Sequence, residues 1–461
     1  MGLPIVGYLP FLTKKPYAKL TELKKKHGPI YRIFMGSQEI IVLCDFKIIK
    51  EAFALDAFMG RPLNSAFELT ETSTKTGAIN DLPWKEQRRF SLSMLRDLGF
   101  GKSQMEVHMK EEAEELLERM AACTKTPVKM AELLTPSMSN NIASFLFGKR
   151  LKYNDPTRQR TDRNLSDIGK LTGTLVVKQF FPWLGPIMEF FNIGNPKKFS
   201  EATGDIKKYV REQINEHEKT LDSNNIRDFI DGYLLEIKKR SNDPNSTFKK
   251  DVLLDLSHGF FVAGSETVRI TMDWMLLICV AFPEVQKKIH QEIDTVLDTE
   301  RFPSYQDRFN MPYTEAAICE LMRWKTIIPM NFMRYTLKDT ELNGYFIPKH
   351  SQVLAVLYSI DHDESLWGND VDMYRPERFL SEDGKKVVKP EHFIPFSIGK
   401  RSCPGKPLAE IEIFVYLTAI LQKFEFSLPP GKEADLEGNL GIGLQPKSQK
   451  LWLKLRHRST F

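Results

Sequence analysis

Residues 396–405 read Phe396-Ser397-Ile398-Gly399-Lys400-Arg401-Ser402-Cys403-Pro404-Gly405, and five positions in this stretch can serve a single sulfur. Cys403 as a thiolate would be the axial haem ligand that pushes electron density onto iron. A buried thiolate stays ionised only where backbone N–H donors face it. Gly399 offers positive φ, so the chain can turn sharply and aim those amides. Arg401 suits a haem propionate through charge-assisted hydrogen bonds. Gly405 lets the following helix come close to a macrocycle, and Phe396 shields the sulfur from water. A chance buried cysteine is the plain alternative, since free Cys is among the most buried residue types. Five matched positions within ten residues favour the ligand.

The loop resembles that of the cytochrome P-450 superfamily, the haem-thiolate monooxygenases, and other segments extend the resemblance from about residue 2 to the C-terminus. It implies a mainly α fold with a small β-rich lobe, a single domain over residues 1–461, and haem b with Cys403 on the iron. Glu320-Leu321-Met322-Arg323 sets an acid and a base one helical turn apart, where they can pair. Alone the pair is a weak signal, because most such pairs are solvated and contribute little. Pro376-Glu377-Arg378-Phe379 follows, and the family buries the corresponding Glu, Arg and Arg beneath the ligand loop. By that resemblance Glu320, Arg323 and Arg378 form a structural triad that is costly to break.

Upstream, residues 251–282 read as a long, mostly apolar helix centred on Ala263-Gly264-Ser265-Glu266-Thr267-Val268. This centre is similar to the family segment that crosses the distal haem face. Gly264 leaves room for dioxygen and can loosen the local helical bonding. Thr267 supplies a hydroxyl that donates and accepts, and Glu266 an adjacent titratable acid. Together they are the expected catalytic pair, a proton relay for dioxygen activation. The plainer reading has Thr267 back-bond to a carbonyl one turn earlier. Val268 departs from the family's Thr or Ser and leaves the acid–alcohol pair whole.

Trp84-Lys85-Glu86-Gln87-Arg88-Arg89 opens a helical segment, and Trp84 and Arg88 at i, i+4 share a face. In the family such a Trp and Arg reach a haem propionate, and Arg334 falls where relatives place a His or Arg on the other. The resemblance thus implies a cofactor-binding set of Cys403, Trp84, Arg88, Arg334, Arg401, Phe396, Gly399 and Gly405.

At 461 residues the length alone suggests two or three domains, yet no Gly/Ser-rich or Pro-rich linker separates motifs that must converge on one cofactor. Five cysteines, at 44, 123, 279, 319 and 403, form an odd, widely spaced set without Cys-x-x-Cys. That argues against a disulfide framework and suits a reducing compartment. Ile30–Met35 and Gln38–Leu43 read as strands of a hairpin turning at Gly36-Ser37. Met105, Met109, Ala113, Leu116, Leu117 and Met120 recur at spacings of three and four, an amphipathic helix.

The longest uncharged apolar run, Trp274–Phe282, has nine residues, against about 18 needed to span a bilayer. Met1 to Pro10 is similar to the hinge that follows an N-terminal membrane anchor in microsomal relatives. Loss of such an anchor and its original absence both fit the sequence. The aromatic run Phe180 to Phe191 reads either as a membrane-contacting patch or as a short helix packed over the substrate cavity. Microsomal relatives hold it against the bilayer, which implies the cytoplasmic face of the endoplasmic reticulum membrane.

The net charge of +5 lacks the concentrated basic stripe wanted for nucleic-acid binding. Lys85, Arg89 and Arg96, with Lys400 and Lys406, are expected to form a basic face where relatives dock an acidic flavoprotein reductase. The resemblance therefore implies a monomeric monooxygenase that inserts one atom of dioxygen into a lipophilic small molecule, a steroid, hormone or xenobiotic. Electrons from NADPH arrive through that reductase or a cytochrome b-type donor. The pocket is expected to draw on Ala66–Asn80, Phe260, Phe261, Ala263, Ile327–Met333 and Leu440–Leu444, mainly apolar stretches. Two rivals share the fold. The Glu266–Thr267 pair argues against an oxygen-independent isomerase or dehydratase, and the same pair with the basic face argues against a non-enzymatic haem-binding protein.

Overall fold

Prolines and acidic caps mark where the chain turns into helix. Pro16, Pro196, Pro283 and Pro312 open Pro16–His27, Pro196–Thr220, Pro283–Val296 and Pro312–Lys325, positions where φ is preset and no N–H is wasted. Asp45 and Asp228 cap Phe46–Ala54 and Phe229–Lys239, accepting from the amides of Ile48 and Asp231 at 3.1 and 3.0 Å. The computed structural model describes residues 2–12, 14–62, 80–101, 103–298 and 301–456. Of the expected pocket segment Ala66–Asn80, all but Asn80 lies outside the described residues.

Lys250–Ala281 is the spine of the molecule, 32 residues and about 48 Å long at 1.5 Å per residue. From Val268 to Val280 every side chain except Asp273 is buried. This half is apolar on nearly all sides and is core rather than an amphipathic surface helix. Met130–Phe147, itself almost wholly buried, packs along it, with Phe147 edge-on to Phe261 at 5.5 Å. Pro196–Thr220, Phe229–Lys239 and Lys406–Lys423 also pack on the spine. Among the described residues no helix is long and apolar enough to cross a membrane.

The expected hairpin forms with the bounds read from the sequence, Ile30 opposite Leu43 and Met35 opposite Gln38, and Gly36 takes φ 62° at its turn. Its second strand then pairs in parallel with Gln352–Ala355, which pairs antiparallel with Arg334–Tyr335. The sheet is therefore closed by residues from the far part of the chain. A buried cluster that includes Leu43, Ile49, Phe53, Phe58, Val353 and Ile360 fastens this sheet to Phe46–Ala54. The architecture is mainly helical with a small β-rich lobe. That lobe presents Arg61 and Arg334 to the helical body.

Candidate haem-thiolate site

The loop before helix Lys406–Lys423 is closed by its own backbone: Cys403 N donates to Phe396 O at 2.9 Å and Ser402 N to Gly399 O at 3.0 Å. Gly399 holds φ +76°, and a Cβ there would fall 2.2 Å from Phe53 O, so only glycine fits against the β lobe. Phe396 packs at the edge of the main core. The amides of Gly405 and Lys406, at the start of the following helix, donate to the Cys403 sulfur. Burial pushes the thiol pKa up, while those amides and the charge of Arg88 pull against it. Cys403 nonetheless keeps accessible surface. A thiolate at a helix N-terminus with two amide donors is the chemistry an axial ligand needs.

Several arginines gather around this loop. Arg88, one turn beyond Trp84 on helix Asp81–Asp97, donates from Nη2 to Ser402 O at 2.7 Å. Arg401 lies 3.5 Å over the Trp84 ring and donates from Nε to Met59 O at 2.9 Å. Arg61 donates from Nη1 to the carbonyls of Phe332 and Met333 at 2.7 and 2.6 Å. Arg334 is 1% exposed, stacked 4.3 Å over Phe53, and its Nε and Nη1 have no partner. Burial and the charges of Arg61 and Arg88 lower its pKa, to about 8; burial and Arg88 likewise lower that of Arg61, to about 10. Among the described residues no carboxylate pairs with Arg61, Arg88 or Arg334. Orphaned guanidinium donors beside a nucleophilic sulfur fit a haem, whose two propionates would answer the charge. Arg61 was not anticipated from the sequence: Gly60-Arg61-Pro62 carries no spacing signal, and only the closed sheet brings it here.

On the spine, Phe260, Ala263, Gly264 and Thr267 stay accessible while Phe261, Val262, Ser265, Glu266 and Val268 are buried, an i, i+3, i+4, i+7 stripe on one face. The expected acid–alcohol pair is not assembled there. Thr267 Oγ1 donates to Ala263 O at 2.9 Å, the back-bond of the plainer reading. Glu266 is fully buried and accepts from Arg269 Nη2 at 2.8 Å; a Cβ on Gly169 would fall 2.4 Å from its Oε2. Consecutive helical residues point about 100° apart, so Glu266 faces helix Pro156–Phe180 while Thr267 faces the open stripe.

Glu320 and Arg323 have no exposed surface. Glu320 accepts from Arg323 Nε and Nη2 at 2.7 and 2.8 Å, from Arg378 Nε at 3.3 Å and from Arg375 N at 3.0 Å. Arg378 also donates to Trp367 O and to Asp370 Oδ1. The aromatic run divides. Phe180 and Phe181 are 5% and 6% exposed and belong to the core, whereas Trp183, Phe190 and Phe191 are 59%, 82% and 67% exposed. On the expected basic face Lys85 and Lys400 both reach Asp56, at 3.5 and 2.5 Å, while Arg89 and Arg96 are exposed.

The cytochrome P450 family model matches residues 1–453. Cytochrome P450 2K6 of Danio rerio is 35% identical over 97% of this chain and 89% of its own length. Cytochrome P450 2C23 of Rattus norvegicus is 33% identical over 98% and 92%, and Cytochrome P450 18a1 of Drosophila melanogaster 32% identical over 99% and 86%.

Proposed function

This chain belongs to the cytochrome P450 family, haem-dependent monooxygenases with a cysteine thiolate on the iron and reducing power from NADPH through a redox partner, and from that premise we propose that the whole chain works as one domain whose axial ligand is Cys403. Trp84, Arg88, Arg334 and Arg401, joined by Arg61, would hold the propionates, and Phe396, Gly399 and Gly405 shape the loop. The observation that carries this reading is the sulfur facing two helix-start amides beside Arg88 and Arg334, which among the described residues have no carboxylate partner.

When bound, the haem supplies the redox chemistry that activates dioxygen. The protein's share is to orient the ligand, exclude water and govern protons. Thr267 keeps its oxygen lone pairs available while its proton is tied to Ala263 O; it acts as acceptor and anchor for a proton donor at the open stripe. Glu266, held by Arg269, serves the shape of the spine rather than touching the reacting atoms. The substrate is a lipophilic small molecule, and we infer a steroid, hormone or xenobiotic taken up beside the exposed Trp183, Phe190 and Phe191 at the cytoplasmic face of the endoplasmic reticulum membrane. A flavoprotein reductase would dock near Arg89 and Arg96, to a monomer.

Cys403→Ser tests the ligand. The reduced carbon monoxide complex is expected to lose its red-shifted thiolate Soret band, and turnover to fall to background. Retention of that band would place another residue on the iron.

A further inference from the structure

A cleft of about 1480 Å³ opens on the flank of the spine, walled by helices Ser103–Ala121, Met130–Phe147 and Pro156–Phe180 and by the hairpin Gly438–Leu440 with Leu444–Pro446. Neither Cys403, Thr267 nor any arginine of the cluster beside the ligand loop lines it. Its acids are already partnered. Glu132 meets Lys129 at 3.4 Å, Asp162 meets Arg158 at 2.8 Å and Asp167 meets Lys198 at 2.8 Å. Glu437 is shared by Lys15 and Lys447, each at 3.1 Å. Deeper in, Arg269 holds Glu266 at 2.8 Å and Asp273 at 3.6 Å.

The cations are in surplus. Lys14, Arg119, Arg163 and Lys170 also line the cleft, and among the described residues none has a carboxylate within 4.0 Å. Arg119, stacked 4.0 Å over Tyr153, has its Nη1 buried without a partner. So is Nε of Arg269, a residue 4% exposed that lines the same space. A buried donor left unmade is costly, and like charges around one volume repel. An anion relieves both. Arg163 and Lys170 stand two turns apart on one helix face, about 10.5 Å at 1.5 Å per residue, with Ser166 between them on the same wall. Guanidinium forks with ammonium point charges match phosphate oxygens better than a single carboxylate.

We propose that this cleft is a binding site for a phosphate-bearing anion, held by Lys14, Arg119, Arg163 and Lys170. The site stands independently of the haem reading. A soluble phosphate ester and the headgroup of an anionic phospholipid offer the same chemistry. Lys14 follows the exposed Phe11 by three residues, which sets one edge of the cleft within about 11 Å of an apolar surface.

The test uses the haem-loaded full chain and two probes. Inorganic pyrophosphate is followed by calorimetry, and phosphatidylcholine vesicles with and without phosphatidic acid by flotation. Arg163→Gln/Lys170→Gln removes two exposed cations from the cleft; Lys238→Gln/Lys239→Gln removes the same charge from an exposed helix end elsewhere. Saturable binding of at least one probe is expected, weakened about tenfold or more by the cleft variant and less than about twofold by the other. Response to pyrophosphate alone assigns a soluble ligand, response to acidic vesicles alone a lipid headgroup, and response to both a site open to either. Binding of neither probe, or equal weakening in the two variants, overturns the proposal.

Discussion

The cluster around Glu320 and the cluster around Arg334 both bury guanidinium groups, and they are built in opposite ways. Glu320 accepts four hydrogen bonds from Arg323, Arg378 and the Arg375 amide, and Arg323 also donates to Asp361 O and Met373 O. Every charge there has its answer inside the chain. Two donor atoms of Arg334 have no partner, and the charges that act on it are those of the cations Arg61 and Arg88. A balanced buried network holds a fold in register; an unbalanced one is complete only with a partner from outside the chain. Under the proposed assignment, buried charges sort into those that build the molecule and those that would be answered by its cofactor.

The difference is open to attack by mutation. Glu320→Ala strands Arg323 and Arg378 and is expected to cost about 3–5 kcal/mol, with little soluble haem-loaded protein recovered. A variant that expresses and unfolds like the parent would reduce this cluster to a surface ion pair. Arg334→Met should behave oppositely in the two forms of the protein. The haem-free chain is expected to be as stable as the parent or more so, since an unanswered buried charge is gone, while haem retention weakens by about 1.5–3 kcal/mol. Equal destabilisation of both forms, read by thermal unfolding and by haem transfer to a scavenger, would contradict the distinction.

The pair on the spine gives a finer test. Glu266 is partnered by Arg269 and so belongs with the fold-building charges, although its Oε1 has no partner. Thr267→Ala should then divert NADPH electrons severalfold from product to hydrogen peroxide at little cost in stability. Glu266→Gln should lower thermal stability more than it lowers product per NADPH. The reverse ranking would restore Glu266 to the relay. The smallest effect lies at the rim of the balanced cluster. Hydrogen bonds from Arg378 and Arg375 hold the Asp370 pKa down, to about 2. A carboxyl whose folded pKa lies below its unfolded value stabilises the fold above the unfolded pKa and loses that contribution as pH falls through the folded one. Asp370→Asn should therefore lower stability slightly at neutral pH, flatten the profile between about pH 4 and pH 2, and match the parent below that range.

Local signals in the sequence carried far into this structure, and non-local ones did not. The hairpin at Gly36-Ser37, the long helix and the turn at Gly399 each follow from residues within a few positions of one another. Arg61 escaped because its role depends on a sheet closed by Arg334–Tyr335 and on carbonyls at Phe332 and Met333. The orientation of Glu266 escaped for a related reason. Adjacency in sequence suggested a pair with Thr267, while helical rotation and the absence of a side chain at Gly169 turned the acid to another helix. Phe180 and Phe181 look like their exposed neighbours in composition, and only the packing of the sheet over them makes them core.

The contact of Gly399 with Phe53 O has a kinetic consequence. Beside it Lys400 reaches Asp56 across 344 residues of sequence, so the cysteine loop takes its shape from a wall made near the start of the chain. Contacts of such separation form late, because the intervening chain must first surrender its freedom. If Cys403 is the ligand, as proposed, a nascent or partly unfolded molecule can possess it and every helix around it and still lack the geometry that would grip iron. Capture of the cofactor thus serves as a checkpoint on the meeting of the two ends, and an N-terminal lesion would surface as a haem-loading defect rather than as a missing helix.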